Sequence, residues 1–248
     1  MSSLKKILAA AAVAAVVTPG AMAFTVNIEK GLFQVGSGGE FVALTTGGFL
    51  ANYDSKATQT VVNNANQRVI GFGTFCLEAN ENLNYTDTYS GVLNQRAMNG
   101  GTDNHDPVGA GPAGDPISKG TAWLYSQFAK GVLANYNYGT DPYNSSEIVA
   151  RKQSAAQLQS AIWYLEDEVA TYSGTNPFIQ ALITEFGTLS AAQVTSNGAY
   201  GVSAINLTLN GNRRQDVLVY TVPDGGMALG LLGGGVLGLA WVQRRKTA

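Results

Sequence analysis

Both ends of the chain are apolar segments of opposite design, and only the residues between them can contribute to a folded domain. At the N-terminus, Lys5-Lys6 precedes an apolar run from Ile7 to Val17, and Ala21-Met22-Ala23 follows as a small-residue cleavage site. These three parts are typical of a secretory signal peptide, which we assign to residues 1–23. The alternative is an uncleaved N-terminal anchor, for which the apolar run is short.

The C-terminal end carries a short polar motif, an apolar segment and a basic stop. The motif is Val222, Pro223, Asp224, Gly225 and Gly226, the apolar segment runs from Met227 to Val242, and the stop is Arg244, Arg245 and Lys246. The segment is slightly shorter than the roughly 20 residues of a usual spanning helix, and its many glycines weaken any helix it forms. We therefore expect a transient anchor with the bulk of the chain outside the cytoplasm, and an ordinary membrane anchor is the alternative.

This tail, residues 222–248, resembles the VPDSG variant of the PEP-CTERM sorting signals. Exosortase, a membrane-embedded cysteine protease of Gram-negative bacteria that make exopolysaccharide, recognises such signals. The resemblance implies that the chain uses the secretion translocon and then meets exosortase. It also implies a final location in the cell envelope, at the cell surface or in the extracellular matrix of a biofilm.

The remaining residues, 24–221, are enough for one extracytoplasmic domain with a substantial core. The formal net charge is -2 and only 13% of residues are charged, which argues against a nucleic-acid surface. The single cysteine, Cys76, and single histidine, His105, exclude the usual zinc sites, and His105 lies in a turn-rich loop without a nearby nucleophile. We therefore expect no enzyme, no metal and no cofactor.

Residue patterns predict strands, then helices, then strands again. Alternating and β-branched residues predict strands between Phe24 and Tyr89, including one over Gln67 to Glu78 that would carry Cys76. Near the other end, alternating apolar residues flank Asn210-Gly211, a dipeptide typical of a hairpin turn. The predicted fold is therefore α+β, a β-sandwich or partial barrel with an inserted three-helix region.

The three helices follow from apolar spacing and end signals. The first is predicted to begin at Asp115-Pro116, and the second after Asn144-Ser145-Ser146 or nearer Ser154. The third is predicted over Pro177 to Phe186, closed by Gly187. Three consecutive acidic residues, Glu166-Asp167-Glu168, are interpreted as a solvated end of the second helix.

Two short motifs carry the chemistry. Phe75-Cys76-Leu77-Glu78 and Gln159-Ser160-Ala161-Ile162-Trp163 resemble the Cys and Gln motifs of surface thioester domains. The resemblance implies that the Cys76 thiol attacks the side-chain carbonyl of Gln159, that ammonia leaves, and that the resulting thioester acylates an amine on a target. Such a bond needs water to be excluded, and Phe72, Phe75 and Trp163 are the candidate shields.

Two hypotheses for function remain open. In the first, the chain is a covalent adhesion module with an amine-bearing surface or matrix target. In the second, it is a structural or carbohydrate-binding matrix protein in which Cys76 is a small buried hydrophobe and Gln159 only packs.

Overall fold

The structure, a computed structural model, describes residues 23–36, 38–98, 114–139 and 141–221. The strands in these ranges are β1 (Phe24–Glu29), β2 (Gln34–Val35), β3 (Gly38–Gly39), β4 (Phe41–Thr45), β5 (Thr58–Val62), β6 (Arg68–Thr74), β7 (Thr88–Asn94), β8 (Arg96–Ala97), β9 (Asp115–Pro116), β10 (Val202–Leu209) and β11 (Asn212–Tyr220). The α-helices are α1 (Lys119–Ala129), α2 (Ser145–Leu165), α3 (Pro177–Phe186) and α4 (Leu189–Ala192). All four lie between β9 and β10 in the sequence, so the predicted order of strands, helices and strands is confirmed.

Seven strands form one antiparallel sheet in the order β11-β10-β7-β1-β4-β6-β5, which curls into a half barrel. The residues just after β6 pair with the outer edge of β11. Leu218 N donates to Phe75 O at 3.1 Å, and Leu77 N donates to Asp216 O at 3.0 Å. Of the two predicted architectures, the partial barrel therefore describes the sheet.

The hydrophobic core lies where helix α1 packs against the sheet. Leu124, Tyr125 and Phe128 of α1 are fully buried. The Tyr125 hydroxyl hydrogen-bonds the carbonyl of Gly73 in β6 at 2.9 Å, and the Phe75 ring meets the Phe128 ring edge-on at 5.1 Å between centroids. Helix α1 therefore fixes the end of β6, and with it the start of the segment that contains Cys76.

Helix α2 begins, and helix α3 both begins and ends, where local signals predict. Asn144 caps α2, its side chain accepting from Ser146 N at 3.1 Å, which selects the earlier of the two predicted starts. Asn176 caps α3, Pro177 occupies the first turn, and Gly187 follows the last turn with φ 80°. Glycine adopts this left-handed backbone conformation after the final turn at little cost in energy, because it has no Cβ.

The predicted start of the first helix is wrong. Asp115-Pro116 forms the short strand β9, paired with Arg96 and Ala97, and α1 begins at Lys119. Ser118 is the cap, because its hydroxyl accepts from Thr121 N at 3.1 Å. Pairing with a distant strand has thus overridden a local helix-start signal, and an equally good cap follows three residues later.

The hairpin at Asn210-Gly211 is confirmed. These two residues have φ values of 53° and 79° and join β10 to β11. Positive φ at both central positions is the requirement of the hairpin turn that asparagine and glycine satisfy best.

The acidic run after α2 is not solvated, contrary to prediction. Glu166 and Glu168 are both buried. Glu166 Oε1 accepts from Ser118 N at 3.1 Å, and Glu168 Oε2 accepts from Ala79 N at 2.8 Å. The two carboxyl groups bind backbone donors of neighbouring segments, so they join the end of α2 to α1 and to the segment after Cys76.

Candidate functional site

The structure brings the side chain of Gln159 against the backbone of Cys76. Cys76 N donates to Gln159 Oε1 at 3.0 Å, and Gln159 Nε2 donates to Cys76 O at 2.8 Å. Each residue is 2% exposed. The amide therefore pairs with Cys76 on both its polar groups, 83 positions away along the chain.

The carbonyl oxygen of the amide has a second donor. Gly39 N donates to Gln159 Oε1 at 3.2 Å. Two backbone N–H groups thus converge on one buried carbonyl oxygen. Such an arrangement polarises the carbonyl and stabilises the negative charge that develops on oxygen when a nucleophile attacks the carbon.

Two separate elements position Cys76 and Gln159. Cys76 lies two residues beyond the end of β6, on a single antiparallel bridge to Val217 of β11. Gln159 lies in α2 between Leu158 and Ile162, which are fully buried. The strand predicted over Gln67 to Glu78 is shorter in the structure, because β6 spans Arg68–Thr74 and Cys76 beyond it makes only this isolated bridge.

The hairpin of β2 and β3 lies directly on α2. A Cβ at Gly38 would lie 2.6 Å from the ring of Trp163 and 2.7 Å from Cγ of Gln159. Gly39 has φ 111°, a backbone conformation that residues with a side chain rarely adopt. Only glycine at both positions lets the backbone approach α2 closely enough for Gly39 N to reach Gln159.

The ion pair next to the hairpin holds it in register. Glu40 follows Gly39, and its carboxylate binds Arg151 of α2 through Nη2 at 2.6 Å and Nε at 2.9 Å. Tyr136 also donates its hydroxyl to Glu40 at 2.7 Å. Because Arg151 and Gln159 belong to the same helix, this pair fixes the hairpin relative to the amide.

The surroundings of Cys76 favour the neutral thiol. Burial raises the pKa of the Cys76 thiol well above its ordinary value, and the charge of Glu78 raises it further. Burial also raises the pKa of Tyr85, and the electrostatic effect of Cys76 raises it further. Reaction of this thiol therefore requires a group that accepts its proton.

The three candidate shields lie in different places. Trp163 is half-buried against Gly38 and one helical turn from Gln159, and its indole N–H has no hydrogen-bond partner among the described residues. Phe75 is fully buried among the aromatic rings of α1, and Phe72 stacks on Tyr53 at 4.5 Å. Of the three, Trp163 lies directly beside the amide.

Sequence reasoning missed four residues at this site: Gly39, Glu78, Tyr85 and Asp216. The Gly38-Gly39 pair was the available signal for the hairpin, because consecutive glycines mark a close backbone approach. No local pattern relates Tyr85 or Asp216 to Cys76. Glu78 belongs to the predicted motif, but its carboxyl accepts a hydrogen bond from Asp216 N at 2.9 Å, and that contact depends on the way the sheet closes.

Several predicted features lie outside the described residues. These are the sorting motif Val222–Gly226, the basic stop Arg244–Lys246, the leader before residue 23 and the loop of His105. In the part of the chain that the structure describes, no group of three His, Cys, Asp or Glu side chains could hold a metal ion. No helix in the same ranges is long and apolar enough to cross a bilayer.

Comparison of the chain with protein-family models, with curated proteins and with solved structures finds no match.

Proposed function

We propose that this chain is an exported surface or extracellular-matrix protein that attaches itself covalently to amines through a Cys76–Gln159 thioester. One observation carries the proposal: the Gln159 amide is paired with the backbone of Cys76 while two N–H groups bind its carbonyl oxygen. A primary amide is a poor electrophile, so it reacts with a thiol only when both are held together and the carbonyl is polarised.

The chemistry balances without a cofactor. The sulfur of Cys76 bonds to the side-chain carbonyl carbon of Gln159, the bond from that carbon to Nε2 breaks, and the thiol hydrogen leaves with the nitrogen as ammonia. An amine on the target later attacks the same carbon, which frees the thiol and leaves Gln159 joined to the target by an amide. Each chain reacts once, so the protein is a single-use acyl donor and not an enzyme.

Export and sorting complete the proposed function. The signal peptide directs the chain to the secretion translocon, the tail anchors it in the membrane at least transiently, and exosortase recognises residues 222–226. Strand β1 begins at Phe24, immediately after the proposed leader, and β11 ends at Tyr220, two residues before the motif. The described strands therefore lie between the two proposed terminal segments.

Intact mass of the full chain purified from its host tests the thioester. We expect a mass lower by one ammonia than the processed sequence, a methylamine adduct at Gln159 after incubation with that amine, and neither change in Cys76→Ser or Gln159→Ala. Gln157→Ala, on the same helix, is the matched control and should behave as wild type. An unmodified wild-type mass together with an alkylatable Cys76 would overturn the proposal.

A deletion tests the sorting step separately. Removal of residues 222–248 should release the protein into the medium, since the anchor and the motif are lost together, whereas deletion of exosortase should hold the intact chain in the membrane. Unchanged distribution between membrane, surface and medium in both strains would contradict the proposed sorting.

A second candidate function, carbohydrate binding, is favoured by one cleft. The cleft has a volume of about 610 Å³ and is lined by hydroxyl and amide groups, by Lys56 and Arg68, and by Tyr143, which is 90% exposed. An exposed aromatic ring among hydrogen-bonding groups suits a sugar face. Tyr143→Ala should abolish retention on immobilised host exopolysaccharide while Tyr172→Ala does not, and equal retention of both would exclude this cleft.

A further inference from the structure

Two buried carboxyl groups lie beside Cys76 and take no part in the contacts with Gln159. Glu78 comes two residues after Cys76, and Asp216 precedes Val217, the residue that bridges Cys76. Both carboxyl residues are 1% exposed. Acidic side chains are almost never so completely buried without a specific partner, so this pair requires a physical explanation.

The hydrogen bonds distinguish the two groups. Asp216 accepts three strong donors, Met98 N at 2.6 Å, Asn206 Nδ2 at 2.7 Å and Leu207 N at 3.1 Å. Glu78 Oε2 accepts from Asp216 N at 2.9 Å and from Gln215 Nε2 at 3.0 Å, but Glu78 Oε1 has no partner among the described residues. Three donors favour an ionised Asp216, and the unsatisfied oxygen favours a protonated Glu78.

The pKa shifts of the two groups agree with a protonated Glu78 and an ionised Asp216. Burial raises the pKa of Glu78 to about 10, with the negative charge of Asp216 as the next cause. Burial also raises the pKa of Asp216 to about 6, and its backbone donors limit that increase. Between these values the pair holds one proton. The other ionisable residues on the surrounding segments include Glu81, Tyr85, Arg96, Asp115, Glu168, Arg213 and Arg214.

We propose that Glu78 and Asp216 share one proton and act as the relay that moves a proton from the Cys76 thiol to the nitrogen of Gln159 as the thioester forms. The inference rests on the proposed function and assigns its missing proton acceptor. Three observations support it. Both carboxyl groups are buried, and Oε1 of Glu78 has no partner among the described residues. Glu78 and Asp216 also lie on the two segments that the Cys76–Val217 bridge joins.

The relay step conserves protons and electrons. The shared proton first moves from Glu78 to Asp216, and the ionised Glu78 then accepts the thiol hydrogen while the sulfur attacks the amide carbon. As the bond from that carbon to nitrogen breaks, Glu78 gives a proton to the nitrogen, which leaves as ammonia. The proton on Asp216 then returns to Glu78, and the net movement is one hydrogen from sulfur to nitrogen.

The test follows the rate of ammonia loss as the full chain folds. The chain is isolated unfolded in guanidinium, so that thiol and amide are both intact, and is then diluted into detergent buffer at a series of pH values. Intact mass is read after acid quenching at each time point. The wild-type rate should fall as the pH drops below about 6, where Asp216 gains the second proton.

Glu78→Gln keeps the size and the neutral form of the side chain but cannot relay a proton. We expect its rate to fall by at least about 100-fold, in line with the usual contribution of general acid–base groups, and to lose the acid limb of the pH profile. Glu168→Gln is the matched control, because Glu168 is also buried and accepts from Ala79 N, the residue after Glu78. It should keep the wild-type rate and profile.

The outcomes separate the relay from the thioester itself. If the wild type loses no ammonia, the thioester proposal fails and the relay fails with it. If wild type and Glu78→Gln lose ammonia at the same rate with the same pH profile, only the relay is overturned. Near-UV circular dichroism shows whether each variant folds. If Glu78→Gln does not fold, the pH dependence of the wild-type rate of ammonia loss still tests the relay. A rate that rises steadily with pH, as an unassisted thiol requires, overturns the relay.

Discussion

Glu40 Oε1 lies 2.6 Å from Arg151 Nη2, and both side chains are almost entirely inaccessible to solvent. The guanidinium also lies over the ring of Phe33, 4.1 Å from its centroid. This bidentate pair connects α2 to the residue next to Gly39, so it supports the N–H group that binds the Gln159 carbonyl. The site is therefore held by a long-range charge pair as well as by hydrophobic packing.

Replacement of Arg151 by methionine should lower the free energy of unfolding by about 3–5 kcal/mol, because Glu40 would be left charged and buried without a partner. Urea denaturation measures the change. Arg68→Met is the control, since that exposed arginine should change stability by no more than about 0.5 kcal/mol. A loss below about 1 kcal/mol for Arg151→Met would show that the pair contributes little.

Gly39→Ala should slow thioester formation by about 100- to 1,000-fold, the usual cost of losing one donor to a developing oxyanion. A Cβ at this position would lie 2.9 Å from Val35 N, so the hairpin must shift and carry its N–H away from Gln159. The rate of ammonia loss measures the effect.

Gly36→Ala is the matched control for this change. Gly36 belongs to the same hairpin and also has positive φ, at 57°, but a Cβ there meets nothing within 4 Å. Both variants therefore strain the backbone, and only Gly39→Ala displaces the donor. Equal rates in the two variants would mean that the Gly39 N–H does not assist the reaction.

Trp163→Ala should leave thioester formation intact but make its hydrolysis several times faster, because the ring beside Gly38 would no longer keep water from the amide carbon. The measurement is the time course of the mass gain of one water at neutral pH. Trp123→Ala is the control, since Trp123 is also half-buried but packs on Phe186. Hydrolysis that is equally fast in both variants would assign the shielding elsewhere.

Glu166 should make the fold less stable as the pH rises from about 4.5 to about 7. Burial raises its pKa from 4.5 to about 7, so in this window the folded state binds more protons than the unfolded state, and stability falls with increasing pH. The total loss is on the order of 3 kcal/mol and is complete above the folded pKa. Denaturation of wild type and Glu166→Gln across this window measures it as a difference.

The control for that titration is Glu185→Gln, at an exposed position of α3. Its stability should follow the wild-type dependence on pH. A constant difference between wild type and Glu166→Gln from pH 4.5 to 7 would show that the Glu166 carboxyl does not titrate in this window.

Local signals predict only the features that local interactions determine. The bounds of α3 follow from Asn176, Pro177 and Gly187, and the β10–β11 turn follows from Asn210-Gly211, because in each case neighbouring residues satisfy the backbone. The start of α1 and the burial of Glu166 depend on segments far away in the sequence, and both were predicted wrongly.

The candidate site divides in the same way. Cys76 and Gln159 were selected by resemblance to known motifs, and no periodicity in the sequence places them in contact. The Gly39 donor lies 120 positions from Gln159, and only the packing of the β2–β3 hairpin on α2 brings it there. Asp216 is likewise distant from Cys76 in the sequence, and only the pairing of β11 with the segment after β6 brings it beside that residue. Their roles could not be read from any window of the sequence.

Strand β11 is bonded along both edges, to β10 on one side and to Phe75–Leu77 on the other. A pull on the chain at Thr221, with Gln159 fixed to a distant object, would load this strand along its length. The hydrogen bonds on its two edges would then be loaded in shear at the same time. Several bonds would have to break together before the strand could be pulled out. Under the proposed attachment, tension between the tail and Gln159 would therefore reach the fold through a strand that is held on both edges.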